Sequence, residues 1–139
     1  MDFPSEPPSE CPAPDGLAAV VPSGWRWCGR NRMDWFVELD SPADLRGLRP
    51  DFDAIRALGL RGIVVTALGD QGSDFVSRFF APQSGIPEDH ATGSAHCALA
   101  PYWASRLGRN VLTGFQLSPR GAVVHVEDRD GRTTLKRCV

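Results

Sequence analysis

Wound as a helix, the stretch from Ser94 to Leu107 is apolar on almost every side, and this limits the folds open to a chain of 139 residues. Ala95, Ala98, Leu99, Tyr102, Trp103 and Leu107 recur at helical spacing, while Cys97, Ala100 and Ala104 fill the opposite side. Only His96, Ser105 and Arg106 interrupt it. A helix apolar all round cannot rest on a surface, so the rest of the chain must enclose it. Its limits are marked by Thr92 and Ser94, both good N-cap residues, and by Gly108, placed where a left-handed glycine stops a helix of about three to four turns. Pro101 falls inside, where it removes a backbone donor and bends the axis.

The polar turn before this helix is the candidate functional site. Backbone N–H groups at Gly93, Ser94 and Ala95, together with the helix dipole, suit a carboxylate or phosphate. Asp89 stands beside them as a candidate acid or base. The same residues suit a plainer role, with Thr92 and Ser94 as caps and Asp89 as first-turn charge, and spacing alone favours that role.

Composition narrows the function classes. A chain with 42% hydrophobic and 23% charged residues builds one ordinary core, so a single lobe over residues 17–139 is expected. A net charge of −2 with no Lys/Arg run argues against nucleic acid. No apolar run is long enough to span a bilayer, which argues against the membrane. No signal peptide is visible at the start, so the cytoplasm is the expected compartment. Cys11, Cys28, Cys97 and Cys138 are far apart and make no metal-ligand spacing with histidine, so no metal is expected.

Along the chain, residues 1–16 hold Pro4, Pro7, Pro8, Pro12 and Pro14, which predict a loosely held extended coil that resists strand pairing. Leu17 to Val21 suits a short helix or strand. Trp25 to Cys28 and Trp35 to Leu39 alternate as a hairpin whose tryptophans serve the core. Ser41-Pro-Ala-Asp opens one short helix ending at Gly47, and Pro50 to Gly59 a second with Phe52, Ile55 and Leu58 on one face. Ile63 to Leu68 reads as a central strand buried on both faces. After a turn over Gly69 to Gly72, Phe75 to Phe80 sends Phe75, Ser77 and Phe79 one way and Val76, Arg78 and Phe80 the other. Arg78 then pairs with a carboxylate of the same lobe or of another subunit, or snorkels to the rim. Beyond the helix, Val111 to Leu117, Val123 to Val126 and Thr133 to Val139 make a meander, with His125 pointing outward. His96 reads as solvated or satisfied within the core rather than as a ligand group.

Several motifs in this order resemble the second lobe of the phenazine-biosynthesis PhzF-like family. They are Asp74-Phe-Val-Ser-Arg-Phe-Phe-Ala-Pro, Gly85-Ile-Pro-Glu-Asp, Thr92-Gly-Ser-Ala-His, Leu99-Ala-Pro-Tyr-Trp and Gln116-Leu-Ser-Pro-Arg-Gly. The resemblance implies an α+β fold, a single lobe of a diaminopimelate epimerase-like architecture, with a mostly antiparallel sheet wrapped around a central helix. Residues 1–16 would be the crossing from a first lobe. It also implies a cofactor-independent isomerase, in which a first-lobe glutamate moves a proton between carbons of a small cyclic carboxylic acid. Of the family's catalytic residues, Asp89 and Ser94 match here, and Thr92, Gly93, Ser94 and Ala95 would bind the substrate carboxylate. Two-thiol racemisation, used by epimerases of this fold, is disfavoured because the turn carries no cysteine. His90 stands where the family usually has proline, which frees the turn that aims Asp89. With the first-lobe glutamate missing, the lone chain is expected to be inert, and a complementary first lobe or a homo-oligomer is the expected partner. The alternatives are a non-catalytic anion-binding module and a protein-interaction module derived from the same lobe.

Overall fold

A computed structural model describes residues 1–70 and 72–138, so the expected turn at Gln71 and the end of the last strand at Val139 lie outside the described residues. The expected helix forms as α4 (Gly93–Leu107), and a sheet of ten strands among the described residues curves around it. In chain order the strands are β1 (Asp2–Pro4), β2 (Ser9–Glu10), β3 (Trp27–Arg30), β4 (Asp34–Glu38), β5 (Gly62–Leu68), β6 (Phe75–Ala81), β7 (Ile86–Asp89), β8 (Val111–Gln116), β9 (Ala122–Arg129) and β10 (Arg132–Cys138). Three short helices, α1 (Leu17–Val20), α2 (Pro42–Gly47) and α3 (Phe52–Leu58), complete the fold. Across the sheet the order is β1-β10-β9-β8-β6-β5-β4-β3-β2. The β4–β5 and β6–β8 pairs are parallel and the rest antiparallel.

The two faces of the sheet bury different partners, and strand alternation sorts the residues between them. Val64, Phe75 and Phe79 turn inward onto α4 with Leu99 and Trp103, whereas Ile63, Val65, Val76 and Phe80 turn outward beneath α1, α2 and α3. This accounts for the unbroken apolar run in β5, which is covered on both sides. α2 starts as its sequence predicts, with Ser41 Oγ accepting from Asp44 N at 3.1 Å, while α3 starts at Phe52 rather than at the expected Pro50 because Asp51 Oδ1 caps it, accepting from Ala54 N at 3.0 Å.

The N-terminal segment departs from the loose coil expected of it. β1 pairs with β10 at one edge of the sheet and β2 with β3 at the other. Proline is tolerated there because an edge strand needs partners on one side only. Residues 5–8 therefore cross from one edge to the other past the start of α4. Pro101 helps to hold that crossing: it has no N–H for the carbonyl one turn back, and that carbonyl, on Cys97, accepts from Glu6 N at 2.8 Å instead. A local helix defect thus becomes a tertiary tie.

β6 decides where the polar turn is built. Its first half pairs with β8 over Phe75 to Ser77, and its second half with β7 over Phe79 to Ala81. Arg78, on the outer face between these halves, makes a two-pronged ion pair with Glu88 at 2.9 Å and donates to the carbonyls of Leu45, in α2, and Leu48, just beyond its end, at 3.0 and 2.8 Å. The carboxylate partner foreseen for Arg78 is therefore in the same lobe. By pinning Glu88, it fixes the strand that ends at Asp89.

Candidate functional site

Between β7 and α4 the chain turns through residues 90–92, and two side chains from the β8 end hold that turn. Gln116 is fully buried; its Oε1 accepts from Thr92 N at 2.8 Å, and its Nε2 donates to Asp89 O at 3.0 Å and to Thr92 Oγ1 at 3.1 Å. Thr92 Oγ1 in turn donates to Asp89 Oδ2 at 2.7 Å. Ser118 Oγ donates to His90 O at 3.0 Å. The turn through His90 is thus held by Gln116 and Ser118, from the segment after α4.

Thr92 occupies the N-cap position, yet its hydroxyl bonds to Asp89, and the cap makes no side-chain hydrogen bond to the first turn of the helix. The expectation that Thr92 and Ser94 are simply caps is corrected on both counts. Ser94 lies inside the helix, where its Oγ accepts from Arg61 Nη1 at 2.9 Å. The N–H groups of Gly93, Ser94 and Ala95 keep no partner among the described residues and face the helix start. Gly93 itself has no left-handed backbone, and a Cβ there would meet only Leu135 Cδ1 at 3.5 Å. Its smallness keeps the mouth open without being required by the backbone.

Arg61 is fixed from three directions. Its Nε and Nη2 donate to Asp34 at 3.0 and 2.6 Å, its Nη1 to Ser94, and its guanidinium lies 5.0 Å from the centre of the Phe79 ring. Burial raises the Asp34 carboxyl above its usual range, against the downward pull of Arg61. Two turn-facing depressions of about 440 Å³ adjoin at Gly93. Phe3, Glu6, Arg32, Met33 and Ser94 border the first, and Ala91, Thr92, Lys136 and Arg137 the second. Asp89 opens onto a third, of about 240 Å³, with His90, Arg120 and Arg137. Ala95 borders none of these, being 2% exposed, so it can contribute only its N–H.

Below the turn, His96 is wholly buried and satisfied on one side, its Nδ1 lying 2.7 Å from Thr92 O. A carbonyl only accepts, so Nδ1 carries the proton; Nε2 is buried without a partner, and burial lowers the imidazole's pKa. Among the described residues no group of three or more metal-ligating side chains stands together, and no helix is long and apolar enough to cross a membrane. Arg61 and Asp34 sit far away in the chain with no motif around them, so no spacing marks them as neighbours of the turn. Gln116 lies within a motif, but its bonds to the turn show only in the fold.

A buried helix enclosed by a mostly antiparallel sheet, with an open polar turn at its start, defines an α+β lobe that presents anion-suited donors at one rim. The family model for phenazine biosynthesis-like proteins matches residues 15–135, and the chain belongs to that family. An uncharacterised isomerase of Halalkalibacterium halodurans is 39% identical over 97% of this chain and 52% of its own length. Another, from Pseudomonas aeruginosa, is 46% identical over 87% of this chain and 46% of its own. The crystal structure of a PhzF-family protein from Enterococcus faecalis superposes with a TM-score of 0.90 at 37% identity, covering 100% of this chain and 55% of that one. The chain spans about half the length of the curated relatives it matches, as one lobe of that fold does.

Proposed function

We propose that this chain supplies the second lobe of a PhzF-like, cofactor-independent isomerase that acts by proton transfer on a small cyclic carboxylic acid. The observation that carries this reading is the pairing of unpartnered N–H groups at Gly93, Ser94 and Ala95 with Asp89, held beside them through Thr92. The substrate carboxylate would lie over those donors, with the Ser94 hydroxyl adding one more. That hydroxyl accepts from Arg61, so its own proton remains to be donated to an anion. Asp89 would hold a substrate hydroxyl or amine, or set its protonation.

A proton shift between two carbons needs a group on each side of its path. Asp89 would supply one side, and a complementary lobe, for which the relatives' additional length leaves room, would supply the other. On this reading the chain alone is inert. In D2O with a cyclic dienoic acid it should incorporate no deuterium above the buffer rate, and adding the remaining half of the Halalkalibacterium relative should restore exchange. Exchange by the lone chain at the rate of a full-length relative would overturn the proposal. Carboxylate binding that never leads to exchange, with the complementary half bound, would favour a non-catalytic anion-binding module instead.

A further inference from the structure

We propose that Gln116 is a positioning residue for Asp89, setting the direction of a hydrogen-bond relay that aims its carboxylate at the ligand; this rests on the reading of Asp89 above. The orientation of the Gln116 amide follows from its partners. Thr92 N can only donate, so it must face Oε1, and Asp89 O can only accept, so it must face Nε2. With Nε2 so placed, its contact with Thr92 Oγ1 makes that oxygen an acceptor. The Thr92 proton is then directed away from Gln116 and toward Asp89 Oδ2, 2.7 Å distant.

One buried amide therefore fixes both the backbone and the side chain of Asp89. Oδ2 is engaged by the relay, and Oδ1 has no partner among the described residues, which leaves it for a ligand. Ser118 supports the same turn through His90 O, and its Oγ also accepts from Gly121 N at 3.1 Å, so the segment 116–121 braces residues 89–92 as a unit. This brace gives a task to the Gln116-Leu-Ser-Pro-Arg-Gly motif, which the isomerase reading leaves without one.

NMR on the full chain tests the relay without any ligand. The Thr92 hydroxyl proton should exchange slowly, and couplings at the Asp89 methylene should report a single rotamer. Two size-matched variants separate positioning from packing: Gln116→Met removes every polar contact, and Gln116→Glu keeps the acceptor for Thr92 N but loses both donors. Both should raise hydroxyl exchange by at least about tenfold and average the Asp89 couplings, with amide shifts confined to residues 89–96 and 114–118. Thr92→Val, which leaves the two Gln116 bonds to backbone in place, should release Asp89 as well, and it carries the test if the Gln116 variants fold poorly. A single Asp89 rotamer in Gln116→Met or in Thr92→Val would overturn the proposal. Adding benzoate distinguishes the two readings: wild-type amides at residues 93–95 that do not move would sink the anion site, whatever the Gln116 variants show.

Discussion

The two ends of α4 carry similar chemistry arranged to opposite effect. At its C-terminal end, Tyr102 donates to the buried Glu38 at 2.6 Å, and Arg106 lies 3.4 Å from the same carboxylate. The Arg106 guanidinium covers Tyr102 at 3.7 Å and Trp27 at 5.3 Å, and Gly108 N closes onto Ala104 O at 2.9 Å. Hydroxyl, carboxylate and arginine satisfy one another there, and burial and the carboxylate together raise the Tyr102 phenol well above its usual pKa. At the N-terminal end the same three kinds of group meet as two separate sets, Thr92 with Asp89 and Ser94 with Arg61 and Asp34, yet the first helix N–H groups, the hydroxyl proton of Ser94 and one Asp89 oxygen have no partner among the described residues. A helix end that completes its own hydrogen bonds serves stability, and one that leaves donors pointing into a depression is available for binding.

Removing the carboxylate at the C-terminal end should show the first of these roles. Glu38→Ala strands a buried phenol and leaves Arg106 without its main partner, so unfolding in urea should show a loss of about 2–4 kcal/mol. A loss below about 1 kcal/mol would break the contrast, because the C-terminal set would then be dispensable.

Acid should act mainly through the N-terminal end. Below pH 6.5 the unfolded chain protonates His96 while the folded chain, with its imidazole pKa lowered by burial, does not. The unfolded state then binds more protons, and stability falls with pH by about 1.4 kcal/mol per unit until the folded pKa is reached. Above 6.5 the group adds no slope. Denaturation midpoints from pH 5 to 7 should show this dependence in the wild type and lack it in His96→Leu; equal slopes in the two would contradict it.

Much of this architecture can be read from sequence because it rests on local grammar. The all-round apolar face of α4, the cap at Ser41 and the alternation in β6 are properties of neighbouring residues, and each forms where expected. What was missed depends on partners distant in the chain. β1, β2 and β7 contain or adjoin prolines that argue against strands, but each lies where only one side needs a partner. Arg61 reaches Asp34 across 27 residues and Ser94 across 33, and no spacing rule reports such a meeting. Gln116 belongs with the turn for the same reason, 24 residues beyond Thr92. Local physics located the helix start, and long-range packing decided which of its groups stay free.

The smallest change in stability should accompany the clearest change in binding. Ser94→Ala should alter stability by no more than about 0.5 kcal/mol, since it gives up one bond to a part-exposed arginine. Gly93→Val should be similarly mild, because its Cβ meets only ordinary contact, while its branched methyls stand in the mouth shared by the two larger depressions. The most direct measurement is a benzoate titration of the wild type and these two variants, followed by amide shifts. In the lone lobe binding should be no tighter than roughly millimolar, or about 4 kcal/mol, as expected for exposed helix-start donors. Shifts centred on Gly93, Ser94 and Ala95, weakened more by Gly93→Val than by Ser94→Ala, are the predicted result. Shifts centred elsewhere, or a Ser94→Ala chain impaired more than the valine one, would contradict the account.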